Sequence, residues 1–200
     1  MGGVSDERIA GVLLAAGESK RLGQPKQLLP WHGRTLIEHA AQTALDAGLD
    51  PVVVVIGSRA DDMRAALRST AVTFVENPRW LEGMSTSLHA GLSALPAGAV
   101  AAIMLLVDQP RLSANHLRAL IAAYHATGKP MIVSAFRGRR ASPTLFDRSL
   151  FDQLMRISGD AGGRSVIQAN PDLVEMIEVD DELALMDIDT LEDWQRINSG

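Results

Sequence analysis

The chain has 200 residues, and its 46% hydrophobic and 22% charged residues are typical of a globular protein, which argues against disorder and against a membrane protein. The formal net charge of −5 argues against a general nucleic-acid binder, which normally carries a basic excess. The lack of cysteine excludes disulfides, thiolate metal sites and thiol nucleophiles, and the lack of a signal-peptide pattern leads us to expect a cytoplasmic location.

Apolar runs alternate with helical patterns along the chain, which is the βα rhythm of an α/β fold with a mostly parallel, twisted sheet. Strands are predicted at 9–14, 51–56, 72–75, 101–107 and 131–135, followed by a short strand pair at 174–179 and 184–188. Helices are predicted at 35–47, 60–67, 85–94 and 113–126, with a last helix from Thr190. The pattern loosens over 136–172, which we interpret as an insertion that shapes a second pocket.

The first predicted strand runs into the loop LAAGESKRLGQPKQLLP, residues 14–30. Residues 15–17 have almost no side chain, so main-chain N–H groups can approach a ligand closely. Lys20, Arg21 and Lys26 add three cations that suit phosphates. The loop therefore predicts a polyphosphate site, with a plain turn and a solvated cationic face as the alternative. The loop contains neither GxxxxGK[ST] nor GxGxxG, so a P-loop kinase or a Rossmann dehydrogenase is disfavoured.

Acidic residues follow two of the predicted strands. Asp108 comes directly after the strand at 101–107, so it should lie on the same edge of the sheet as the loop at 14–30. One or two carboxylates with phosphate oxygens suffice for Mg²⁺, whereas a turn cap is the alternative for Asp108. Asp187 and Asp189 are candidates for a second ligand, with helix capping as the alternative for Asp189.

The segment NPRWLEGMSTSLHAGL, residues 77–92, turns into a helix through small and polar residues. Gly83, Ser85, Thr86 and Ser87 can offer N–H and hydroxyl donors to a nucleotide, although ordinary helix capping is the alternative.

The segment GDAGGRS, residues 159–165, combines a flexible backbone with Asp160 and Arg164 and can form an anion-binding turn. The five histidines show no metal-ligand spacing, so we assign them to the surface or to packing.

Residues 14–30 resemble the signature of the nucleotidyltransferases related to the molybdenum cofactor enzymes, in which LAAG or LAGG leads into SxRMGxxK. The matching positions are Ser19, Arg21, Leu22, Gly23 and Lys26, with Leu22 in place of Met. The resemblance continues in order through NPRWLEGMSTSL, LLVDQP, SGDAGGRS and DIDTLED. It implies a three-layer fold of the nucleotide-diphospho-sugar transferase type in a single domain, 1–200. A Rossmann-like nucleotide-binding half would cover about 8–112, and an acceptor-binding part about 113–200.

The resemblance also implies an activity. The LAAG form is similar to the cytidylyltransferase branch, so Ala16 favours CTP over GTP. The implied reaction is the Mg²⁺-dependent transfer of CMP from CTP to the terminal phosphate of molybdopterin, or molybdenum cofactor, with release of pyrophosphate. A molybdoenzyme client is a further partner, and no nucleic acid or membrane is involved. Three alternatives stay open: another nucleoside triphosphate such as GTP, a sugar-phosphate acceptor, and a molybdenum cofactor chaperone without turnover.

The resemblance assigns roles to particular residues. The catalytic residues would be Arg21, Lys26 and Asp108. The nucleotide would contact Leu14, Ala15, Ala16, Gly17, Ser19, Arg21, Lys26, Gly83, Ser85 and Ser87. The metal would be held by Asp108 and Asp189, with Asp187 as the alternative to Asp189. The acceptor would contact Gly138, Pro143, Gly159, Asp160 and Arg164.

Two departures from the family pattern lie on the acceptor side. Ala141 and Ser142 precede Pro143, where the family often has Gly and then His or Asn. Gly163 occupies the place of Ala in GDxGAR.

Overall fold

A seven-stranded sheet forms the centre of the computed structural model, which describes residues 7–19 and 22–199. The strands are β1 (Arg8–Leu14), β2 (Pro30–Trp31), β3 (Arg34–Thr35), β4 (Val52–Ile56), β5 (Thr73–Glu76), β6 (Ala99–Leu106), β7 (Met131–Phe136), β8 (Arg139–Asp147) and β9 (Val174–Glu178). Strands β2 and β3 form a separate hairpin, and the others follow the order β5-β4-β1-β6-β8-β7-β9. All pairs in the large sheet are parallel except those of β8, which runs antiparallel to both β6 and β7.

Helices cover both faces of this sheet. They are α1 (Leu36–Asp46), α2 (Ala60–Ala66), α3 (Met84–Ser93), α4 (Ala114–Thr127), α5 (Phe151–Leu154), α6 (Arg164–Ala169) and α7 (Leu191–Ser199). Residues of α1, α2, α4 and α7 pack in one hydrophobic core, and residues of α3, α5 and α6 pack in another. Neighbouring strand residues enter different cores, as Val12 and Leu13 do, because side chains alternate across a strand. The predicted three-layer α/β fold is confirmed.

The loosely patterned segment at 136–172 differs from its interpretation as an insertion. It contributes β8 to the interior of the sheet, between β6 and β7. It also contains the helices α5 and α6, which pack on one face of the sheet. The strand predicted at 184–188 is wrong, since Glu182–Leu185 forms a 3₁₀ turn and β9 pairs with β7 instead. The Asp181 carboxylate accepts a hydrogen bond from the Leu183 N–H at 3.0 Å and thereby favours the turn over an extended strand.

The register of the parallel strands determines where the candidate site lies. Leu14 at the end of β1 pairs with Leu106 at the end of β6, so the segments that follow both strands emerge side by side. These segments carry the loop at 14–30 and Asp108, as the sequence predicted. Within residues 7–19 and 22–199, no helix combines the length and the apolar character needed to cross a membrane.

Candidate active site

The turn after β1 is held by hydrogen bonds from three directions. The Ala15 N–H donates to the Val55 carbonyl at 2.9 Å, and the Ser58 N–H donates to the Ala16 carbonyl at 3.0 Å. The Gln27 side-chain amide donates to the carbonyls of Ala15 at 3.0 Å and Gly17 at 2.6 Å. Because these bonds preorganise the backbone, the turn can present its N–H groups other than that of Ala15 to a ligand at little entropic cost.

Gln27 is a residue that sequence reasoning missed. Its side chain is buried, with 2% exposure, and its oxygen accepts a hydrogen bond from the Ser19 hydroxyl at 3.3 Å. The Ser19 hydroxyl in turn accepts from the Lys26 N–H at 3.0 Å, so Ser19 and Gln27 close the loop on itself. An uncharged amide beside Lys26 gave no signal in the sequence. Lys20 and Arg21, both predicted to bind phosphate, lie outside the described residues.

Lys26 contacts both carboxylates of the predicted metal site, Asp108 and Asp189. Its ammonium group donates to Asp108 Oδ2, to Asp189 Oδ1 at 3.4 Å and to the Ile188 carbonyl at 3.5 Å. Burial alone would lower the pKa of Lys26, but the carboxylates of Asp108 and Asp189 outweigh burial and hold the pKa above its usual value. Lys26 is therefore a permanent cation at neutral pH. The Ile188 N–H donates to the Asp108 carbonyl at 2.9 Å, which fixes the C-terminal segment against the end of β6.

The carboxylate pair of Asp108 and Asp189 fits a divalent cation. Asp108 is buried, with 8% exposure, and its Oδ1 has no hydrogen-bond partner among the described residues. A buried carboxylate oxygen without a donor is costly unless a cation or water completes it. No group of three acidic or histidine side chains within the described ranges is arranged to hold a metal. Two carboxylates still suit Mg²⁺, which takes its remaining ligands from phosphate and water.

The structure places Asp189, rather than Asp187, in contact with Lys26. The Asp187 residue as a whole is exposed to solvent. Neighbouring groups nevertheless remove much of the water from its carboxyl group, and this burial together with repulsion from Asp108 raises the pKa of Asp187 to about 6. Thr190 and Asp193 form the N-terminal cap of α7. The Thr190 N–H donates to Asp193 Oδ2 at 2.8 Å, and the Asp193 N–H donates to Thr190 Oγ at 3.1 Å. The Asp189 side chain is therefore not needed as the helix cap.

A cleft of about 460 Å³ opens beside this cluster. Trp80 forms one wall and packs so closely that a Cβ added at Gly57 would lie 2.8 Å from Trp80 Cδ1 and 2.9 Å from Ala16 Cβ. The predicted nucleotide, catalytic and metal residues that line the cleft are Leu14, Ala15, Ala16, Gly17, Ser19, Lys26, Gly83, Ser87 and Asp108. Their contact with a nucleotide stays a prediction.

The N-terminus of α3 has internal partners. The Met84 N–H donates to Asp160 Oδ1 at 3.1 Å, and the Ser85 N–H donates to the Gly159 carbonyl at 3.0 Å. Ser85 is buried, with 2% exposure, and is not among the residues that line the cleft. The contact of Ser85 with a nucleotide stays a prediction. The Ser87 hydroxyl lies at the cleft and accepts a hydrogen bond from the Asn77 amide at 2.9 Å.

A second pocket of about 310 Å³ adjoins the cleft and shares Leu14, Met84 and Leu106 with it. Its walls are mostly apolar, and its cationic residues are Arg140 and Arg164. Arg164 thus lines the second pocket and Asp160 lines the first cleft, and their contact with an acceptor stays a prediction.

The other predicted acceptor residues line neither of the two pockets. Gly138 lies in the β7–β8 turn, and its N–H donates to Glu178 at 2.9 Å. Pro143 offers its carbonyl to the Ser134 hydroxyl at 2.7 Å, and the Gly159 carbonyl is used by α3. The contact of these three residues with an acceptor stays a prediction.

The glycine at 163 has a steric reason. A Cβ at Gly163 would lie 2.6 Å from Cζ of Phe146, whose ring lines the second pocket. The departure from the family pattern therefore makes room for Phe146.

The chain is similar to known proteins over most of its length. The family model described as the MobA-like NTP transferase domain matches residues 11–174. The chain is 37% identical to the nicotine blue oxidoreductase of Paenarthrobacter nicotinovorans, over 94% of this chain and 96% of that protein. It is 32% identical to the purine catabolism protein PucB of Bacillus subtilis, over 94% of this chain and 95% of that protein.

Solved structures agree with this similarity. The crystal structure of Rv0371c from Mycobacterium tuberculosis H37Rv superposes with a TM-score of 0.87 and 30% identity, over 98% of this chain and 100% of that chain. A second structure of Rv0371c, described as a complex with manganese, superposes with a TM-score of 0.80 over 96% of this chain and 99% of that chain.

Proposed function

Because this chain belongs to the MobA-like NTP transferase family, we propose that it is a nucleotidyltransferase that moves CMP from CTP to the terminal phosphate of molybdopterin, or molybdenum cofactor. The observation that carries the proposal is the meeting of Lys26, Asp108 and Asp189 beside the backbone turn at 15–17. We expect the protein to act in the cytoplasm as the single domain assigned above.

The reaction needs no nucleophile from the protein. An oxygen of the acceptor phosphate attacks the α-phosphorus of CTP, a new P–O bond forms, and the bond to the β-phosphate breaks to release pyrophosphate. Lys26, and Arg21 as the resemblance implies, would neutralise the triphosphate and the charge that develops on the leaving group. Asp108 and Asp189 would hold Mg²⁺, which when bound supplies further neutralisation and orients the phosphates.

The preference for CTP rests on Ala16. The turn reads LAAG, which resembles the cytidylyltransferase branch, whereas guanylyltransferases usually carry LAGG. The resemblance therefore favours CTP over GTP.

The acceptor preference rests on the second pocket. Its apolar walls suit a flat heterocycle, and Arg140 and Arg164 suit a phosphate. Because the pocket adjoins the cleft, an acceptor phosphate held there can reach the α-phosphate of a nucleotide in the cleft.

The test is to incubate the protein with each of the four nucleoside triphosphates, Mg²⁺ and molybdenum cofactor, and to measure pyrophosphate and the mass of the product. We expect release with CTP and a product larger by CMP. Release with GTP would change the assigned base, and release with sugar phosphates would change the acceptor. Binding of the cofactor with no pyrophosphate from any triphosphate would favour the chaperone alternative.

A second candidate function is reduction of a coloured heteroaromatic compound, favoured by the 37% identity to a protein named nicotine blue oxidoreductase. Such a reaction needs an electron donor such as NADH or NADPH, yet GxGxxG is absent after β1. Loss of absorbance at 340 nm from NADH or NADPH with a quinonoid dye would support this function. No loss in a preparation that releases pyrophosphate would exclude it.

A further inference from the structure

Gln109, directly after Asp108, connects three parts of the chain. Its side chain is buried, with 4% exposure, and its Nε2 donates to the Leu185 carbonyl at 3.1 Å and to the Ser142 carbonyl at 3.2 Å. These two acceptors decide the orientation of the amide, because the reversed amide would place Oε1 against two carbonyl oxygens. Gln109 Oε1 consequently points away from both, and it is buried without a hydrogen-bond partner among the described residues.

His39 presents a second buried atom of the same kind. Its Nε2 also has no partner within the described part of the chain, and His39 and Gln109 both line one small cavity of about 10 Å³. Burial lowers the pKa of His39, while a hydrogen bond to the Pro110 carbonyl opposes this effect. A neutral ring that donates to Pro110 through Nδ1 leaves Nε2 as an acceptor.

Two buried acceptors on residues that line one small cavity can be satisfied together by a molecule with two donors. The cavity has room for about one water. A water has two O–H donors and no charge, whereas an ammonium or metal ion would bring a charge that no carboxylate in the cavity lining balances.

We propose that a single water occupies this cavity, donates one hydrogen to His39 Nε2 and the other to Gln109 Oε1, and holds Gln109 as a positioning residue of the transfer site. The positioning role rests on the proposed function, whereas the water does not. Gln109 ties the end of β6 to Ser142 in the wall of the second pocket and to Leu185, four residues before Asp189. Gln109 therefore holds the Asp108–Asp189 pair in a fixed position relative to the wall of the second pocket, where the acceptor is proposed to bind.

The water is tested by a crystal structure of the wild-type protein without nucleotide, at a resolution that shows ordered waters. We expect one density peak within hydrogen-bond distance of both His39 Nε2 and Gln109 Oε1. An empty cavity, or a Gln109 amide that faces Ser142 and Leu185 with its oxygen, would overturn the proposal.

The positioning role is tested with Gln109→Met, which keeps the volume but loses both donors. We expect kcat for pyrophosphate release to fall about tenfold to a hundredfold, since a small misplacement of reacting groups has such an effect. The KM for CTP should stay within about threefold, because Gln109 does not line the nucleotide cleft. The matched control is Gln153→Met on the exposed side of α5, which should leave both constants unchanged.

Mn²⁺ affinity provides a readout that does not depend on turnover. Without the Gln109 bond to Leu185, Asp189 is less well placed, so Gln109→Met should bind Mn²⁺ at least about threefold more weakly than Gln153→Met. Unchanged kcat and unchanged Mn²⁺ affinity in folded Gln109→Met would overturn the positioning role. If wild-type protein releases no pyrophosphate, the proposed function fails, while the crystal structure and Mn²⁺ affinity still decide this inference.

Discussion

The ammonium group of Lys26 lies where the carboxylates of Asp108 and Asp189 meet, which is the position that a divalent cation would also favour. A metal that takes both carboxylates would displace the Lys26 ammonium, and the phosphates of a nucleotide would then be its natural partners. The Lys26–Asp108 ion pair is mostly buried, so removal of Lys26 leaves the Asp108 carboxylate with little solvent to screen it. The Lys26 ammonium group would therefore exchange the carboxylates for phosphates when a metal and a nucleotide bind.

Lys26→Ala should lower the rate of pyrophosphate release by about a hundredfold to a thousandfold, since a preorganised charge at the reacting phosphates is lost. The same variant should bind Mn²⁺ more tightly without nucleotide, because the competing cation is gone, and titration calorimetry measures this.

Asp108→Ala should lose activity to a similar extent and also lose Mn²⁺ affinity. Lys129→Ala, which removes a lysine that donates to the Asp172 carbonyl, is the control. Near-normal turnover in folded Lys26→Ala or Asp108→Ala would contradict the proposed function.

Helix α3 packs on the sheet through a glycine. An added Cβ at Gly91 would lie 2.3 Å from Val12 Cγ1 in β1, so the helix approaches the strand more closely than any other residue would permit. The close approach matters for the site, because β1 leads into the turn at 15–17 and α3 begins at the cleft.

Gly91→Ala should reduce the free energy of unfolding by about 1–3 kcal/mol, the usual cost of overpacking a core. Urea denaturation measures the change. Gly98→Ala is the matched control, since an added Cβ there meets nothing within 4 Å, and this variant should be neutral or slightly more stable. Equal stability of the two variants would show that α3 can shift away from β1 without cost.

Helix α4 is joined to β8 by the Tyr124 hydroxyl, which donates to the Asp147 carboxylate. Partial burial by itself would raise the pKa of Asp147, but hydrogen bonds from Ser149 and Tyr124 hold that pKa below its usual value. A carboxyl group with a lowered pKa in the folded state stabilises the protein above its unfolded pKa of about 3.9, and this contribution is lost as the pH falls through the folded pKa.

Tyr124→Phe should therefore be less stable than wild type by about 1 kcal/mol at pH 7, the usual worth of one such hydrogen bond. The difference should shrink when both proteins are unfolded by urea near pH 3. A difference that is the same at both pH values would show that the tyrosine acts through packing alone.

At the scale of the whole molecule, ligands that bind only the folded state should stabilise it. Saturation with CTP and Mg²⁺ at about 100 times the Kd adds about 2.7 kcal/mol, which corresponds to a rise in Tm of roughly 5–10 °C for a domain of this size. We expect CTP and Mg²⁺ together to exceed the sum of their separate shifts in a thermal melt. In Asp108→Ala the metal-dependent part should vanish. A CTP shift in wild type that ignores Mg²⁺ would argue against a metal-assisted nucleotide site.

The sequence predicted the parts of the molecule that depend on local pattern. Strands β4 and β6 are continuous apolar runs, so their place at the centre of a parallel sheet could be inferred. Asp108 lies two residues after the end of β6, so its place at the edge of the sheet could be inferred as well. The place of strand β8 could not be inferred from the sequence, because the strand begins with two exposed arginines and its buried stretch is only four residues long. Its place between β6 and β7 is decided by pairing with distant strands.

The same division holds for the candidate site. Lys26 and Asp108 were predicted because charged residues at strand ends point to phosphate and metal. Gln27 and Gln109 were not predicted, since a neutral amide has no characteristic spacing and becomes informative only when its buried partners are known.

The ion pairs of Lys26 also make the candidate site dependent on the folding of the whole chain. Lys26 and Asp108 are 82 residues apart, and Lys26 and Asp189 are 163 residues apart, so these contacts close long loops. Closing loops of this length costs conformational entropy. A chain in which these loops are still open lacks the complete charge cluster. Chemical competence therefore depends on the native arrangement of nearly the whole chain, and its appearance would report that this arrangement has been reached.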